Sequence, residues 1–275
     1  MPEGPEVKTI GDWLRGELVG KTIQAIEYTD NSRYAKTGLA NHDQLDELLP
    51  LEITEIETKG KKIIFLLQGE DKEAFLISSL MMEGRWNWEP GNHGDLWLVI
   101  GDDKLYFHDS RHFGTLDILL TREDLLDRLA DLGPDLLSDQ ITLKEYKDKI
   151  KSLVTNKRRK PKKVGIFVME QEHFCGIGNY LRAEILYDAR ISPHRFINDL
   201  TDQEIERLFN SSRRLILESY RSQGATLATY QNPHGGKGEF KVIIYNKDKD
   251  PHGHQVIKED IGDKRTTHWV PEVQL

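Results

Sequence analysis

The sequence predicts an α+β fold: a leading helix and a β-rich first part, then a mainly helical part that ends in a β-hairpin. Apolar residues recur at helical spacing from Val7 to Leu18, and Gly20 follows them. Short β-branched and apolar runs, separated by turn residues, then continue to about residue 120. Further on, Thr201 and Glu204 form the capping-box pattern of a helix start.

The predicted strands of the first part are short runs of β-branched, aromatic or other apolar residues. They cover residues 22–29, 63–67, 96–100, 104–107 and 115–120. A Gly-Asp-Asp turn separates the third run from the fourth, and this spacing predicts a hairpin.

The second part combines one long helix with a β-like tail. The helix that begins at Thr201 has a periodic apolar face and ends near Gly224. In the tail, the runs 241–245 and 255–257 flank the turn-rich stretch 246–254. We therefore expect these two runs to pair as a β-hairpin.

Composition limits the class of protein. A chain of 275 residues forms one large domain or two modest ones, and 37% hydrophobic with 31% charged residues is typical of a globular protein. No run approaches the ~18 apolar residues of a membrane span, and the segment MPEGPEVKTI lacks the apolar stretch of a signal peptide. We expect an intracellular protein. The single cysteine, Cys175, excludes an internal disulfide and a multi-cysteine zinc site.

Charge is unevenly distributed along the chain. The net charge of −8 argues mildly against a nucleic-acid partner, because phosphate binding depends on Lys and Arg. However, residues 122–150 hold eight acids against five bases, whereas 151–163 hold seven bases and no acid. A local basic patch therefore keeps nucleic-acid binding open. The run 157–163 is compatible with a nuclear-import signal, a DNA-backbone patch or a solvated loop.

The first residues carry the most informative chemistry. Removal of Met1 would leave Pro2 with a secondary amine, whose ordinary pKa of roughly 7.7–8.0 makes it a ready nucleophile for a carbonyl carbon. Glu3 and Glu6 stand beside it as proton donors and acceptors. The same residues also suit a plain helix start, with Pro5 in the first turn and Glu6 favoured by the helix dipole. On spacing alone, the plain helix start is the more common interpretation.

Four motifs in register resemble the Fpg/Nei family of DNA glycosylases. They are the opening MPEGPEV, the segment Arg111-His112-Phe113-Gly114, the segment Leu132-Gly133-Pro134-Asp135, and the stretch CGIGNYLRAEILY from Cys175 to Tyr187. The last is similar to the helix-two-turns-helix signature of the family, and is most similar to that of the eukaryotic Nei-like enzymes. The resemblance implies an N-terminal helix with a two-layer β-sandwich, then a helix-two-turns-helix domain that ends in a β-hairpin finger.

The resemblance also implies domain limits. It places a catalytic β-sandwich domain at residues 1–121 and a linker at 122–135. A helix-two-turns-helix domain follows at 136–238, and the finger hairpin at 239–275. The stretch 226–238 would belong to the region that faces the damaged base.

The resemblance assigns catalytic roles to four residues. Pro2 matches the N-terminal nucleophile that attacks C1′ of the damaged nucleotide, and Glu3 matches the acid that protonates the sugar ring oxygen or relays protons. Glu6 matches a second carboxylate of the catalytic site. Lys61 matches a lysine of the β-domain that contacts phosphate near the lesion, with Lys62 as the competitor one residue along.

Five further residues match DNA-binding positions of the family. Met82 aligns with the residue that fills the gap left by a flipped base, and Arg111 and Phe113 align with residues that face and wedge the opposite strand. Asn179 and Arg265 match residues that bind phosphate beside the lesion. Glu83 departs from the small polar residue common in bacterial relatives.

The tail departs most from the family. Many relatives hold the finger with four cysteines around zinc, and this tail has none. His252, His254 and His268 remain, but closely spaced histidines in a polar turn are usually solvated. The pattern resembles the zincless finger of some Nei-like enzymes, so we expect neither a metal nor another cofactor.

The sequence thus predicts a base-excision-repair DNA glycosylase with AP lyase activity, which removes oxidised bases, pyrimidines in particular, by β,δ-elimination through a Schiff base on Pro2. The expected partner is double-stranded DNA with oxidised bases or abasic sites, bound by a monomer away from membranes and, in a eukaryote, in the nucleus. One alternative is a catalytically silent damage-binding protein of the same fold, which retention of Met1 would favour. Another is a metal-dependent hydrolase that uses the three tail histidines.

Overall fold

The computed structural model describes residues 2–155, 160–226, 230–233 and 235–275. The chain divides into two compact units. The first unit contains Pro2, Glu6–Asp131 and the described residues of 227–238. The second unit contains Glu3–Pro5, Leu132–Thr226 and Glu239–Leu275.

The first helix is the one that the apolar spacing predicts. Helix α1 spans Gly4–Leu18, and its periodic residues Val7, Ile10 and Leu14 are buried. Gly20 follows with a φ of 85°, a left-handed conformation that favours glycine and ends the helix.

Eight strands of the first unit form one antiparallel sheet. They are β1 (Thr22–Tyr28), β2 (Leu51–Lys59), β3 (Lys62–Gln68), β4 (Glu73–Ser79), β5 (Arg85–Asn87), β6 (Leu96–Ile100), β7 (Asp103–His108) and β8 (Thr115–Leu119). The order across the sheet is β5-β7-β6-β1-β2-β3-β4-β8. All five predicted runs are strands, whereas β2, β4 and β5 were not predicted.

The sheet folds into a two-layer sandwich. One layer contains β5, β7, β6 and β1, the other contains β2, β3, β4 and β8, and a short junction between β1 and β2 joins them. Strands β1 and β2 pair only through Thr22↔Glu52 and Ile23↔Leu51. Residues from both halves, such as Leu98 on β6 and Phe65 on β3, belong to the same buried apolar cluster as α1. The predicted helix and β-sandwich are therefore confirmed.

The remaining helices are α2 (His42–Asp46) and α3 (Arg122–Leu129) in the first unit, and α4 (Leu143–Val154), α5 (Val164–Phe167), α6 (Asn179–Asp188) and α7 (Asp202–Arg221) in the second. The Thr201 side chain accepts a hydrogen bond from the Glu204 backbone, and the Glu204 side chain accepts one from the Thr201 backbone, so the predicted capping box is present. Helix α3 lies in the stretch 122–135 that was predicted as a linker, and its Leu125 packs with Ile64 and Phe75.

The hairpin of the tail lies later in the chain than predicted. Strands β9 (Ile257–Asp260) and β10 (Thr266–Trp269) form it, so the prediction that 241–245 pairs with 255–257 is wrong. The buried carboxylate of Glu184 accepts the backbone N–H groups of residues 243–245, which removes them from strand pairing. Asp260 Oδ1 accepts N–H groups from Gly262, Asp263 and Lys264 and so shapes the hairpin turn.

No helix in the described ranges has both the length and the apolar character that crossing a membrane requires.

Candidate active site

Pro2 is buried and lines a pocket of about 290 Å³ in the first unit. The described residues that line it are Pro2, Ile10, Glu83, Gly84, Arg85, His93, His108, Ser110, Tyr230 and Gln231. A pocket of this size with several convergent polar groups is typical of a site for a small organic group. It places a carboxylate, a guanidinium, two imidazoles and a phenol around the predicted nucleophile.

Two of the pocket residues are polar groups that burial keeps neutral. Burial lowers the pKa of His108, and its Nε2 lies 2.7 Å from the backbone oxygen of Glu89, so this nitrogen carries the donated proton. Burial raises the pKa of Tyr230, and the charge of Glu6 raises it further. Glu6 itself is fully buried on α1. The site motifs of the sequence did not single out Tyr230 or His108, although Tyr230 lies in the predicted base-facing stretch.

Glu3 lies in the second unit, where its carboxylate caps the start of α6. One oxygen accepts the N–H of Tyr180 at 2.8 Å, and the other accepts those of Gly178 at 2.6 Å and Leu181 at 3.3 Å. These are N–H groups that a helix start leaves without intrahelical partners, and a carboxylate there is favoured by the helix dipole.

The glycine-rich turn before α6 makes this contact possible. A Cβ on Gly178 would lie 2.3 Å from Cδ of Glu3, so only glycine leaves room for the carboxylate. The N–H of Gly4 also donates to the carbonyl of Gly176 at 2.8 Å. Gly176 has a φ of 103°, which again favours glycine.

The two candidate lysines occupy different positions at the start of β3. Lys61 lies in the turn after Gly60, which has a φ of 57°, and is half-buried. Lys62 lies on β3, and its ammonium donates to Ser79 Oγ at 2.6 Å. Burial lowers the pKa of Lys62, and the nearby charge of Arg128 lowers it further. Neither lysine is among the described residues that line the Pro2 pocket.

The predicted wedge residues lie on two loops of the first unit that one carboxylate links. Met82 lies half-buried in the turn of residues 81–83, and Arg111 lies in the loop of residues 109–114. Glu83 Oε2 accepts from the hydroxyl of Ser110 at 2.5 Å, and Glu83 Oε1 lies 3.2 Å from Nε of Arg111. Glu83 therefore joins the Met82 turn to the Arg111 loop.

The loop of residues 109–114 is held in shape from both sides. The buried Asp109 accepts the N–H groups of Arg111 and Gly114. Arg33 Nη1 lies 3.4, 3.2 and 2.9 Å from the backbone oxygens of residues 112, 113 and 114. The side chain of Phe113 is nevertheless 52% exposed. An ordered loop that presents an exposed aromatic ring suits a residue that inserts into a partner.

Asn179 and Arg265 both lie beside the finger hairpin in the second unit. Asn179 is the first residue of α6, and its Nδ2 donates to the backbone oxygen of Thr266 at 3.0 Å. Arg265 is exposed in the turn between β9 and β10. Glu3 and Asn179 thus meet at the same helix start, since Glu3 accepts the N–H groups on either side of residue 179.

The tail does not fit a four-cysteine zinc site. It contains no cysteine, and His254 Nδ1 already lies 3.0 Å from Asp250 Oδ2. His268 is buried beside Tyr245, and burial lowers its pKa to about 4. Among the described residues, the group whose ligand atoms lie close enough to hold a metal is Glu170, Glu172 and His173, outside the tail. Lys162 lies 2.5 Å from Glu170 there, and its ammonium competes with any cation.

Part of the basic run 157–163 lies outside the described residues, namely Lys157, Arg158 and Arg159. The two lysines at its end are used within the second unit. Lys162 pairs with Glu170, and Lys163 donates to the backbone oxygen of Ile261 at 3.0 Å.

Three family models together match most of the chain. Residues 1–116 match the formamidopyrimidine-DNA glycosylase N-terminal domain, 132–231 the H2TH domain and 234–275 the C-terminal domain of the same family. The formamidopyrimidine-DNA glycosylase of Thermus thermophilus is 30% identical over 282 residues, which cover 100% of this chain and 98% of that protein. That of Rickettsia africae is 32% identical over 261 residues, or 90% and 89% of the two chains.

Solved structures show the same likeness. The crystal structure of MutM (Fpg) from Thermus thermophilus has a TM-score of 0.84 at 28% identity and covers 99% of this chain and 98% of that one. The complex of Lactococcus lactis Fpg with DNA containing an abasic site has a TM-score of 0.82 at 28% identity and covers 99% of both chains. These relatives are bacterial Fpg proteins.

Replacing Glu3 with glutamine tests the helix cap. The glutamine side chain would offer one acceptor oxygen, and its NH2 group would face backbone N–H donors. We expect Glu3→Gln to lower the free energy of unfolding by about 1–3 kcal/mol, measured by urea denaturation. Glu17→Gln, at an exposed position of α1, is the matched control and should change stability little. Equal effects of the two substitutions would contradict the cap.

Proposed function

The chain belongs to the formamidopyrimidine-DNA glycosylase family, and from this membership we propose that it excises oxidised bases from duplex DNA by covalent catalysis at Pro2. Family membership makes the chain a DNA glycosylase of base-excision repair with AP lyase activity. The observation that carries the assignment to Pro2 is the position of this residue in a pocket lined by charged and polar side chains.

The proposed reaction needs a bare Pro2 nitrogen, as left by removal of Met1. Its lone pair attacks C1′ of the flipped nucleotide, the bond from C1′ to the base breaks, and the base leaves with a proton. Protonation of the sugar ring oxygen opens the ring and leaves a cationic iminium between Pro2 and C1′. The neighbouring Glu3 is the proposed proton donor or relay for this step, and Glu6 is proposed as a second carboxylate of the site.

Strand cleavage follows from the iminium. As an electron sink it acidifies the C2′ proton, and removal of that proton expels the 3′ phosphate by breaking the C3′–O bond. A second elimination breaks the C5′–O bond and releases the 5′ phosphate. The electron pair of each broken C–H bond forms the new C=C bond, and that of each broken C–O bond leaves on a phosphate oxygen, so the steps need no oxidant or reductant. We propose that this chain works without metal or other cofactor.

The DNA partner is proposed to be held by two sets of residues. Met82 and Phe113 replace the stacking lost when the nucleotide flips, and Arg111 faces the unpaired base. The exposed Phe113 and the ordered loop that carries it support this role. Lys61, Asn179 and Arg265 contact phosphates. We propose that one chain binds one duplex.

The substrate preference and the division of the chain are also proposals. The cysteine-free tail supports a likeness to Nei-like enzymes with a zincless finger, and with it a preference for oxidised pyrimidines such as thymine glycol. The relatives named above are formamidopyrimidine-DNA glycosylases. Excision rates measured for oxidised pyrimidines and for formamidopyrimidines therefore decide which class this chain prefers. The limits 1–121, 122–135, 136–238 and 239–275 and a nuclear location stay predictions.

Blocking the Pro2 nitrogen tests the nucleophile. Intact mass separates protein that begins at Pro2 from protein in which a preceding residue turns this nitrogen into an amide. We expect only the first form to release the base and to cleave a lesion-containing duplex, because an amide nitrogen is not nucleophilic. Both forms should still bind that duplex. Normal cleavage by the blocked form would contradict the role of Pro2, whereas binding without cleavage by the bare form would favour the silent damage-binding alternative.

Replacing Glu83 with glutamine tests the link between the wedge loops. The change keeps an acceptor for Ser110 but removes the charge that holds Arg111 and repels phosphate. Because exposed ion pairs are worth roughly 0.2–1 kcal/mol, we expect about a two- to fivefold lower Kd for an abasic-site duplex.

The matched control for this change is Glu73→Gln. It breaks a comparable exposed pair, in which Glu73 lies 3.3 Å from Arg122, and should leave the Kd unchanged. Weaker binding by Glu83→Gln would show instead that the DNA complex needs the carboxylate.

A further inference from the structure

The finger hairpin is tied to α6 by a buried arginine. Arg182 is fully buried, and its Nη1 lies 2.6 Å from Oδ2 of Asp263 in the hairpin turn. Nη1 also lies 3.3 Å from the backbone oxygen of Gly165. Burial lowers the pKa of Arg182, and the carboxylate of Asp263 opposes this shift. A buried guanidinium is costly unless paired, so it holds the Asp263 turn firmly against the helix.

The same guanidinium fixes the orientation of the Asn179 amide. Arg182 Nη2 donates to Oδ1 of Asn179. Arginine is only a donor, so the atom of Asn179 that faces it must be the oxygen. The NH2 group of Asn179 therefore faces the other way, where it donates to the backbone oxygen of Thr266 and the amide interacts with the side chain of Tyr245. A phosphate oxygen requires this donor group, and not the amide oxygen, on the side away from Arg182.

Arg182 also acts on the backbone of Arg265. While Oδ2 of Asp263 pairs with Arg182, its Oδ1 accepts the N–H of Arg265 at 3.2 Å. The carboxylate of Asp263 therefore connects the buried guanidinium of Arg182 to the backbone of Arg265, whose own side chain is exposed. Neither connection uses the cysteines by which many relatives hold this hairpin, since the tail has none.

We propose that Arg182 is a positioning residue that, in place of a finger metal, orients Asn179 and Arg265 to clamp one DNA phosphate. The inference rests on the proposed function, because it assumes that these two residues bind the backbone of damaged DNA. The geometry of the clamp would then depend on a fully buried residue that is not itself one of the phosphate contacts. Lysine cannot replace Arg182, because a single ammonium lacks the planar fork that reaches both Asn179 and Asp263.

The test measures the Kd for an abasic-site duplex over a series of salt concentrations. Arg182→Lys should raise the Kd about tenfold and lower the salt slope by about one unit, through the misplaced Arg265. Asn179→Ala should raise the Kd without changing the slope, because asparagine is uncharged. Added to the double variant Asn179→Ala/Arg265→Ala, Arg182→Lys should change the Kd by less than about twofold, since it acts through these two residues. Arg214→Lys, on the exposed face of α7, is the control and should change neither quantity.

The possible results distinguish a failure of the clamp from a failure of the proposed function. Wild-type protein that does not bind the duplex would overturn the proposed function and the clamp together. Wild-type binding with an unchanged Kd and slope in folded Arg182→Lys would overturn the clamp alone, as would a full effect of Arg182→Lys in the double-variant background. If Arg182→Lys does not fold, Asp263→Asn tests the connection from Arg182 through Asp263 to Arg265. Asp263→Asn should lower the salt slope by about one unit in otherwise wild-type protein and should leave the slope of the Arg265→Ala variant unchanged. An unchanged slope in otherwise wild-type protein would overturn the clamp.

Discussion

The carboxylate of Glu3 at the start of α6 is the contact on which the proposed chemistry depends. It accepts three backbone N–H groups of the turn and helix, and Gly178 leaves the space for it. Because Glu3 follows Pro2 directly, these bonds also limit the conformations of the peptide that carries the Pro2 nitrogen. The same helix start carries Asn179, and the next turn of α6 carries Arg182 and Glu184. One helix terminus thus serves a proposed catalytic acid and a proposed phosphate contact.

The tail contains no cysteine, and side chains of α6 hold it in place. Three charged or polar side chains of α6 take hold of separate parts of the tail: Glu184 binds the N–H groups of residues 243–245, Arg182 binds Asp263, and Asn179 binds Thr266. An apolar cluster of Ala183, Ile244, Val256 and Val270 lies among these contacts. Removing one partner of a buried ionic or hydrogen-bonded pair is costly, so these contacts resist displacement of the tail from α6.

The parts of the fold that the sequence predicted are those specified by local signals. Helix α1 follows from apolar spacing, and α7 follows from a capping box of residues only three apart. The predicted pairing of 241–245 with 255–257 is wrong because Glu184, about 60 residues earlier in the chain, binds the backbone N–H groups of residues 243–245. No local sequence pattern predicts a contact between residues so far apart in the chain.

The site divides in the same way. Pro2, Glu3 and Asn179 were predicted because the short segments that contain them, MPEGPEV and CGIGNYLRAEILY, resemble motifs of the family. His108 on β7, Tyr230 in a loop and Arg182, the proposed positioning residue, could not be found in this way, because their contacts form only in the folded chain. The sequence shows that Glu83 departs from the family, but its contacts with Ser110 and Arg111 form only when two loops distant in sequence come together in the fold.

The most direct measurement of the central claim is reductive trapping. Borohydride reduces an iminium to a stable amine, so incubation with a duplex that contains an abasic site, followed by peptide mapping, identifies the attacking nitrogen. The account predicts one covalent adduct, on the peptide that begins with Pro2, which forms when borohydride is present during the incubation and does so at the expense of released cleavage product. An adduct on Lys61 or Lys62, or strand cleavage with no adduct at all, would contradict it.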